Sequence, residues 1–136
     1  MKRTLGLGIL TAVGALALAG PLAAHHSFAA AYDMQAPVTV TGTIVNVRLT
    51  NPHSYFFIDV KDDNGKVVRW SFEAGTPSGM IRNGYSPDVI KEGDVVTISG
   101  FHAKDPTQPS GMLTELKMAD GTVYGMFGPR EGAGAR

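Results

Sequence analysis

The chain has 136 residues, with 12 basic and 12 acidic side chains, no cysteine and a hydrophobic share of 43%. That length makes one domain rather than two. Without thiols there can be no disulfide, thiolate metal site or cysteine nucleophile, and the balanced charge is a poor match for nucleic acid, which rewards clustered Lys and Arg.

The chain opens with Lys2 and Arg3, then an uncharged apolar stretch from Leu5 to Gly20, then small residues ending at Ala24. Positive start, apolar middle and small-residue end are the three parts of a cleavable secretory signal, assigned here to residues 1–24. The apolar run is short for a bilayer span, which needs about 20 residues. Cleavage removes two basic residues and no acid, leaving 10 basic and 12 acidic residues and a net charge of −2. The expected location is the periplasm or the medium after Sec-type cleavage near Ala24, with no membrane or nucleic-acid partner thereafter.

Residues 25–36 read as an N-terminal arm and residues 37–127 as the folded domain. From Pro37, Val38, Val40 and Ile44 share one parity, whereas Val45, Val47 and Leu49 share the other. A period of two that changes face just past Gly42 predicts a bulge or bend in one long strand. Ser54–Lys61 and Lys66–Glu73 then form a hairpin around Asp62-Asp63-Asn64-Gly65, since Asn-Gly suits a turn with positive φ. Phe56, Ile58, Val60, Val68, Trp70 and Phe72 are expected in the core, with Tyr55, Phe57, Asp59, Arg69 and Glu73 on the outer face.

Thr76-Pro77 can cap and start a short helix holding Met80 and Ile81, ended by Gly84. Val95–Ala103 is the fourth strand, interrupted by Gly100. Lys104–Gly111 is a polar loop, Met112–Met118 a fifth strand, and Thr122–Phe127 a short sixth. The tail, residues 128–136, has little to bury and is expected to be mobile. The fold class is all-β. The order of elements is that of a small OB-like barrel of five to six strands with one short helix after the third; another small β-roll or sandwich is the alternative.

Of the four histidines, His25, His26 and His53 are the candidate ligating groups, and His102, near the end of the fourth strand, reads as a surface residue. Cleavage after Ala24 would make His25 the first residue, and its amino group and ring could chelate a metal together. His26 and His53 would complete a nitrogen-rich site of the kind that suits Cu(II). Two adjacent histidines near a processing site are more simply read as solvated residues, and His53, after Asn51-Pro52, as the cap of a strand end. Asp59 and Glu73, on outer faces of paired strands, could approach one another, or face Arg69 and Lys61. No hydrolase elbow, phosphate loop or dinucleotide fingerprint occurs. The outward aromatics Tyr55 and Phe57 offer a patch for a protein or small ligand, with Asn51, Trp70, Glu73 and Arg82 as further candidates. The competing reading has Phe28 and Tyr32 of the arm packing over Tyr55 and Phe57.

The motifs Ala24-His25-His26-Ser27-Phe28-Ala29-Ala30, Thr50-Asn51-Pro52-His53, Trp70-Ser71-Phe72-Glu73, Arg82-Asn83-Gly84-Tyr85 and Lys91-Glu92-Gly93-Asp94 occur in this order. Together they resemble a family of small exported bacterial proteins catalogued as domain of unknown function six-one-five-two. The sequence departs from that family's pattern at Ala31, where an acid is usual, and at Tyr85, where a tryptophan is usual. The resemblance implies export and a small β-barrel, and it singles out His25, His26, Asn51, His53, Trp70 and Glu73. It supplies no activity or cofactor. The expected function is therefore an exported, non-enzymatic binding or accessory module, with a copper-binding protein using the mature N-terminal histidines as the alternative.

Overall fold

The computed structural model describes residues 28–126. The expected signal over residues 1–24, His25 and His26, and the tail from residue 128 lie outside the described residues. The structure is a mostly antiparallel β-sheet of six strands: β1 Tyr32–Arg48, β2 Tyr55–Lys61, β3 Val67–Glu73, β4 Val95–Ala103, β5 Ser110–Met118 and β6 Val123–Gly125. A four-residue helix, α1 (Phe28–Ala31), precedes β1, and the short helix α2 (Pro77–Arg82) follows β3. The strand order is β3-β2-β1-β4-β5-β6, and β3 also pairs with β5, in parallel, from Ser71↔Ser110 to Glu73↔Met112.

The long first strand serves two neighbours. Its N-terminal half pairs with β4 as far as Thr43↔Val95, and its C-terminal half pairs with β2 from Thr43↔Asp59 to Arg48↔Tyr55. The expected bend is present, with the register of β1 against β2 slipping between Ile44 and Asn46. The bulge lies three residues beyond Gly42, at Val45, because Gly42 answers a different need. A Cβ there would stand 2.5 Å from the Asp59 carbonyl oxygen. The slip carries Val38, Val40 and Ile44 before it, and Val47 and Leu49 after it, onto the same apolar core.

The strand begins at Tyr32 rather than Pro37. Residues 33–36 show no alternation that would announce a strand, but Tyr32 pairs with Ala103 across an irregular register. Tyr32 is itself buried in the core.

Phe56, Ile58 and Phe72 are fully buried, with Ile44, Ile98, Leu113 and Leu116. Val60, Val68 and Trp70, expected beside them, share their face but are only half-buried. Val60 and Val68 lie toward the turn of the hairpin, and Trp70 stands opposite Ile58 at the margin of the packed centre.

Helix α2 starts as the sequence predicts. Gly79 N–H donates to the Thr76 hydroxyl at 3.1 Å, Pro77 occupies the first turn, and Gly84 follows at φ 92°. Met80 is buried, whereas Ile81 faces solvent. The Asn83 side-chain amide donates to the carbonyls of Gly125 (3.2 Å) and Met126 (2.8 Å), fixing the end of α2 to β6. No helix among the described residues is long and apolar enough to cross a membrane.

Candidate functional site

The hairpin register decides which polar groups meet. In the ladder of β2 and β3, Tyr55 lies opposite Glu73 and Asp59 opposite Arg69. Asp59 and Glu73 are therefore separated along the sheet and form no carboxylate pair. Asp59 instead accepts two bonds from Arg69, at 2.7 and 3.0 Å, and the guanidinium holds its carboxyl below the usual range.

Glu73 gathers a different set. The Tyr32 hydroxyl donates to its Oε2 at 2.5 Å, and His53 Nδ1 lies 2.5 Å from its Oε1. The side chains of His53 and Glu73 are only 24% and 14% exposed, so this pair sits largely out of water. Three segments converge here: the first residue of β1, the turn before β2 and the last residue of β3. The turn is held by the Thr50 hydroxyl, which donates to the His53 carbonyl at 3.1 Å, and contains a cis Asn51–Pro52 bond.

Burial, then the hydrogen bond to the Glu73 carboxylate and its charge, push the Tyr32 phenol far above its ordinary value. Tyr55 is raised for the same reasons, burial first and the Glu73 charge next. Because a carboxylate only accepts, the proton in the His53–Glu73 contact belongs to Nδ1. In the neutral ring this leaves Nε2 as a lone-pair acceptor. A carboxylate behind a histidine in this way fixes the tautomer and the orientation of the ring.

The Phe28 ring packs on His53 (5.3 Å between centroids) and on Tyr32 (6.2 Å). The arm was expected to place Phe28 and Tyr32 over Tyr55 and Phe57. Tyr32 reaches Glu73, the carboxylate that also acts on the neighbouring Tyr55, whereas Phe28 seats on His53 and makes no ring contact with Tyr55 or Phe57 among the described residues. Tyr55 and Phe57 stack on each other at 6.4 Å, both half-exposed, and the Arg48 guanidinium stands 5.2 Å from the centre of the Phe57 ring.

The proposed patch is thus divided. Tyr55, Phe57 and Glu73 share the outer face with Arg48. Asn51 is exposed in the adjoining turn. Trp70 lies on the opposite, inner face, stacked on Phe72 at 5.7 Å with His102 edge-on at 5.3 Å. Arg82 is in the last turn of α2 and forms no hydrogen bond or ion pair with the patch among the described residues. His53 and His102 lie at separate places in the fold, and among the described residues no three metal-ligating side chains come together. The sequence reading missed Tyr32 as a partner of Glu73. No local pattern links positions 41 residues apart, although an isolated aromatic just before a strand was a usable signal.

The model of the family of unknown function DUF6152 matches residues 13–112, and the chain belongs to that family. No curated relative and no solved structure matches it.

Proposed function

We propose that the chain is an exported, non-enzymatic binding module on an OB-like barrel, and that it meets a partner protein with the outer face of β1–β3. The barrel reading rests on the parallel β3–β5 pairing, which joins the two ends of a five-strand run, and on the bent β1 shared between two neighbours. Export rests on the charge and hydropathy pattern of residues 1–24. One observation carries the partner surface: Tyr55 and Phe57 are stacked and half-exposed with Arg48 over Phe57, while Phe28, which could have packed on them, is seated on His53. Aromatic and arginine side chains in such an arrangement are the residues on which interfaces most depend. Tyr55→Ala/Phe57→Ala protein, exported and folded, should lose partners that the wild type captures from a periplasmic extract. An unchanged set of captured proteins would refute the proposal.

A second reading, Cu(II) binding, is favoured by a separate observation. Glu73 fixes His53 with Nε2 available, and Phe28, two residues after His26, packs on the His53 ring. The donor set, two or three imidazoles and an amino terminus, suits Cu(II). Mass spectrometry of the mature exported protein with and without copper tests it. A first residue at His25 and one bound ion support the reading; equal copper affinity in processed protein and in protein with an added N-terminal tag contradicts the N-terminal version.

A further inference from the structure

The inner face of the β2–β3 hairpin runs beyond the packed core. Phe56, Ile58 and Phe72 on it are fully buried, but the next inward residues, Val60, Val68 and Trp70, are not. Val60 lies opposite Val68, and Ile58 opposite Trp70, so these side chains form one wall. The loop between β4 and β5 supplies Pro106 and Pro109, and the end of β4 supplies His102. Together they line a cavity of about 320 Å³.

The loop is pinned rather than free. Ser71 N–H donates to the Pro109 carbonyl at 3.1 Å and Lys104 N–H to the Ala31 carbonyl at 3.1 Å. The Asp105 carboxylate accepts from Thr107 N–H (3.0 Å), the Thr107 hydroxyl (2.7 Å) and the Gln108 amide (3.3 Å). A cavity with fixed walls avoids much of the ordering cost of binding.

The walls are valine methyls, two pyrrolidine rings and an indole. Two polar groups on the lining residues have no partner among the described residues: the Trp70 indole N–H and His102 Nε2. His102 Nδ1 lies 2.9 Å from the Ala103 carbonyl and must donate to it, so in the neutral ring Nε2 accepts. The one ionised lining group, Asp62, already receives Asn64 N–H and Lys66 N–H and disfavours an anion. An enclosed apolar cavity of about 150 Å³ holds benzene; this one, about 320 Å³ and open to solvent on one side, has room for one or two rings.

We infer that this cavity is a binding site for a neutral aromatic molecule of one or two rings carrying a hydroxyl or N–H group. The site is on the opposite side of the hairpin from Tyr55 and Phe57, and it does not depend on the partner surface proposed there.

Trp70 is the single tryptophan of the chain and reports on its own cavity. The test is titration of the mature protein with 1-naphthol, read by Trp70 fluorescence and by calorimetry. The expected result is saturable one-to-one quenching, at least tenfold weaker binding of the anion 1-naphthalenesulfonate, and at least tenfold loss in Val68→Phe, which fills the cavity. His102→Phe should bind 1-naphthol and naphthalene equally, whereas the wild type prefers 1-naphthol. Tyr55→Ala/Phe57→Ala should bind as the wild type does. Absence of saturable binding, or 1-naphthol affinity unchanged in Val68→Phe, overturns the inference. If Val68→Phe does not fold, His102→Phe decides: a preference for 1-naphthol as strong as in the wild type overturns it.

Discussion

Replacing Glu73 by glutamine keeps its shape and removes its charge. In the wild type the two carboxylate oxygens serve two donors, Tyr32 OH and His53 Nδ1–H, both at 2.5 Å and largely out of water. The side-chain amide of the Glu73→Gln variant has one accepting oxygen, so it serves only one of the two donors, and the Tyr32 hydroxyl keeps a contact only as a neutral bond or by accepting from the amide N–H. A hydrogen bond to a charged group contributes about 1.5–3 kcal/mol, and the one that remains becomes a weaker neutral bond. The expected loss is therefore about 2 kcal/mol. For a domain of this size each kcal/mol moves the midpoint by about 4–8 °C, so Tm should fall by about 10 °C. Thermal melts followed by circular dichroism at neutral pH measure it. Tyr32→Phe, which removes one donor and leaves the carboxylate with His53, should cost about half as much. A Glu73→Gln midpoint within about 2 °C of wild type would show that the cluster does not hold the start of β1 to the hairpin.

Three other outcomes follow from the packing. The Ser54 hydroxyl is fully buried and has no hydrogen-bond partner among the described residues. Such burial costs about 1–3 kcal/mol, so Ser54→Ala should raise Tm, and a fall would show that the hydroxyl is bonded in solution. Gly100 sits at the register slip between β4 and β5, where a Cβ would overlap the Met112 carbonyl oxygen. Gly100→Ala should lower denaturant stability by more than about 3 kcal/mol, and a loss under about 1 kcal/mol would contradict that close approach. Tyr32, Tyr55 and Tyr85 all have phenols raised above the ordinary value of 10.0, in each case chiefly by burial. Their contribution is fully present below pH 10.0 and is lost as pH rises above it, because the unfolded chain ionises first. Tm should fall through that window, less steeply in Tyr32→Phe; identical slopes would remove Tyr32 from the explanation.

The hairpin and α2 were legible in the sequence because their signals are local. Alternation placed Phe56, Ile58 and Phe72 on one face, Asn-Gly marked the turn, and Thr76-Pro77 with Gly84 bracketed the helix. The change of parity in β1 was legible too, but its cause was not. Gly42 is required by the approach of the Asp59 carbonyl, a contact that only the sheet register creates. The site was partly legible. Residue type and parity marked Tyr55, Phe57, Glu73 and His53, yet parity also sets Trp70 on the other side of the sheet, away from the patch it shares a motif with. The link from Tyr32 to Glu73 depends on β1 extending back to Tyr32. That extension comes from pairing with β4 and not from any pattern in residues 33–36.

The central claim joins export to a partner surface at Tyr55 and Phe57, and one measurement addresses both. A photo-cross-linking amino acid is placed at position 57 and, as a control, at position 117, where Lys117 is exposed on β5. Cells are irradiated, fractionated and probed for adducts. The account predicts processed protein in the periplasmic fraction, with a discrete adduct from position 57 and none from position 117. Unprocessed cytoplasmic protein, or the same adduct pattern from both positions, would contradict it.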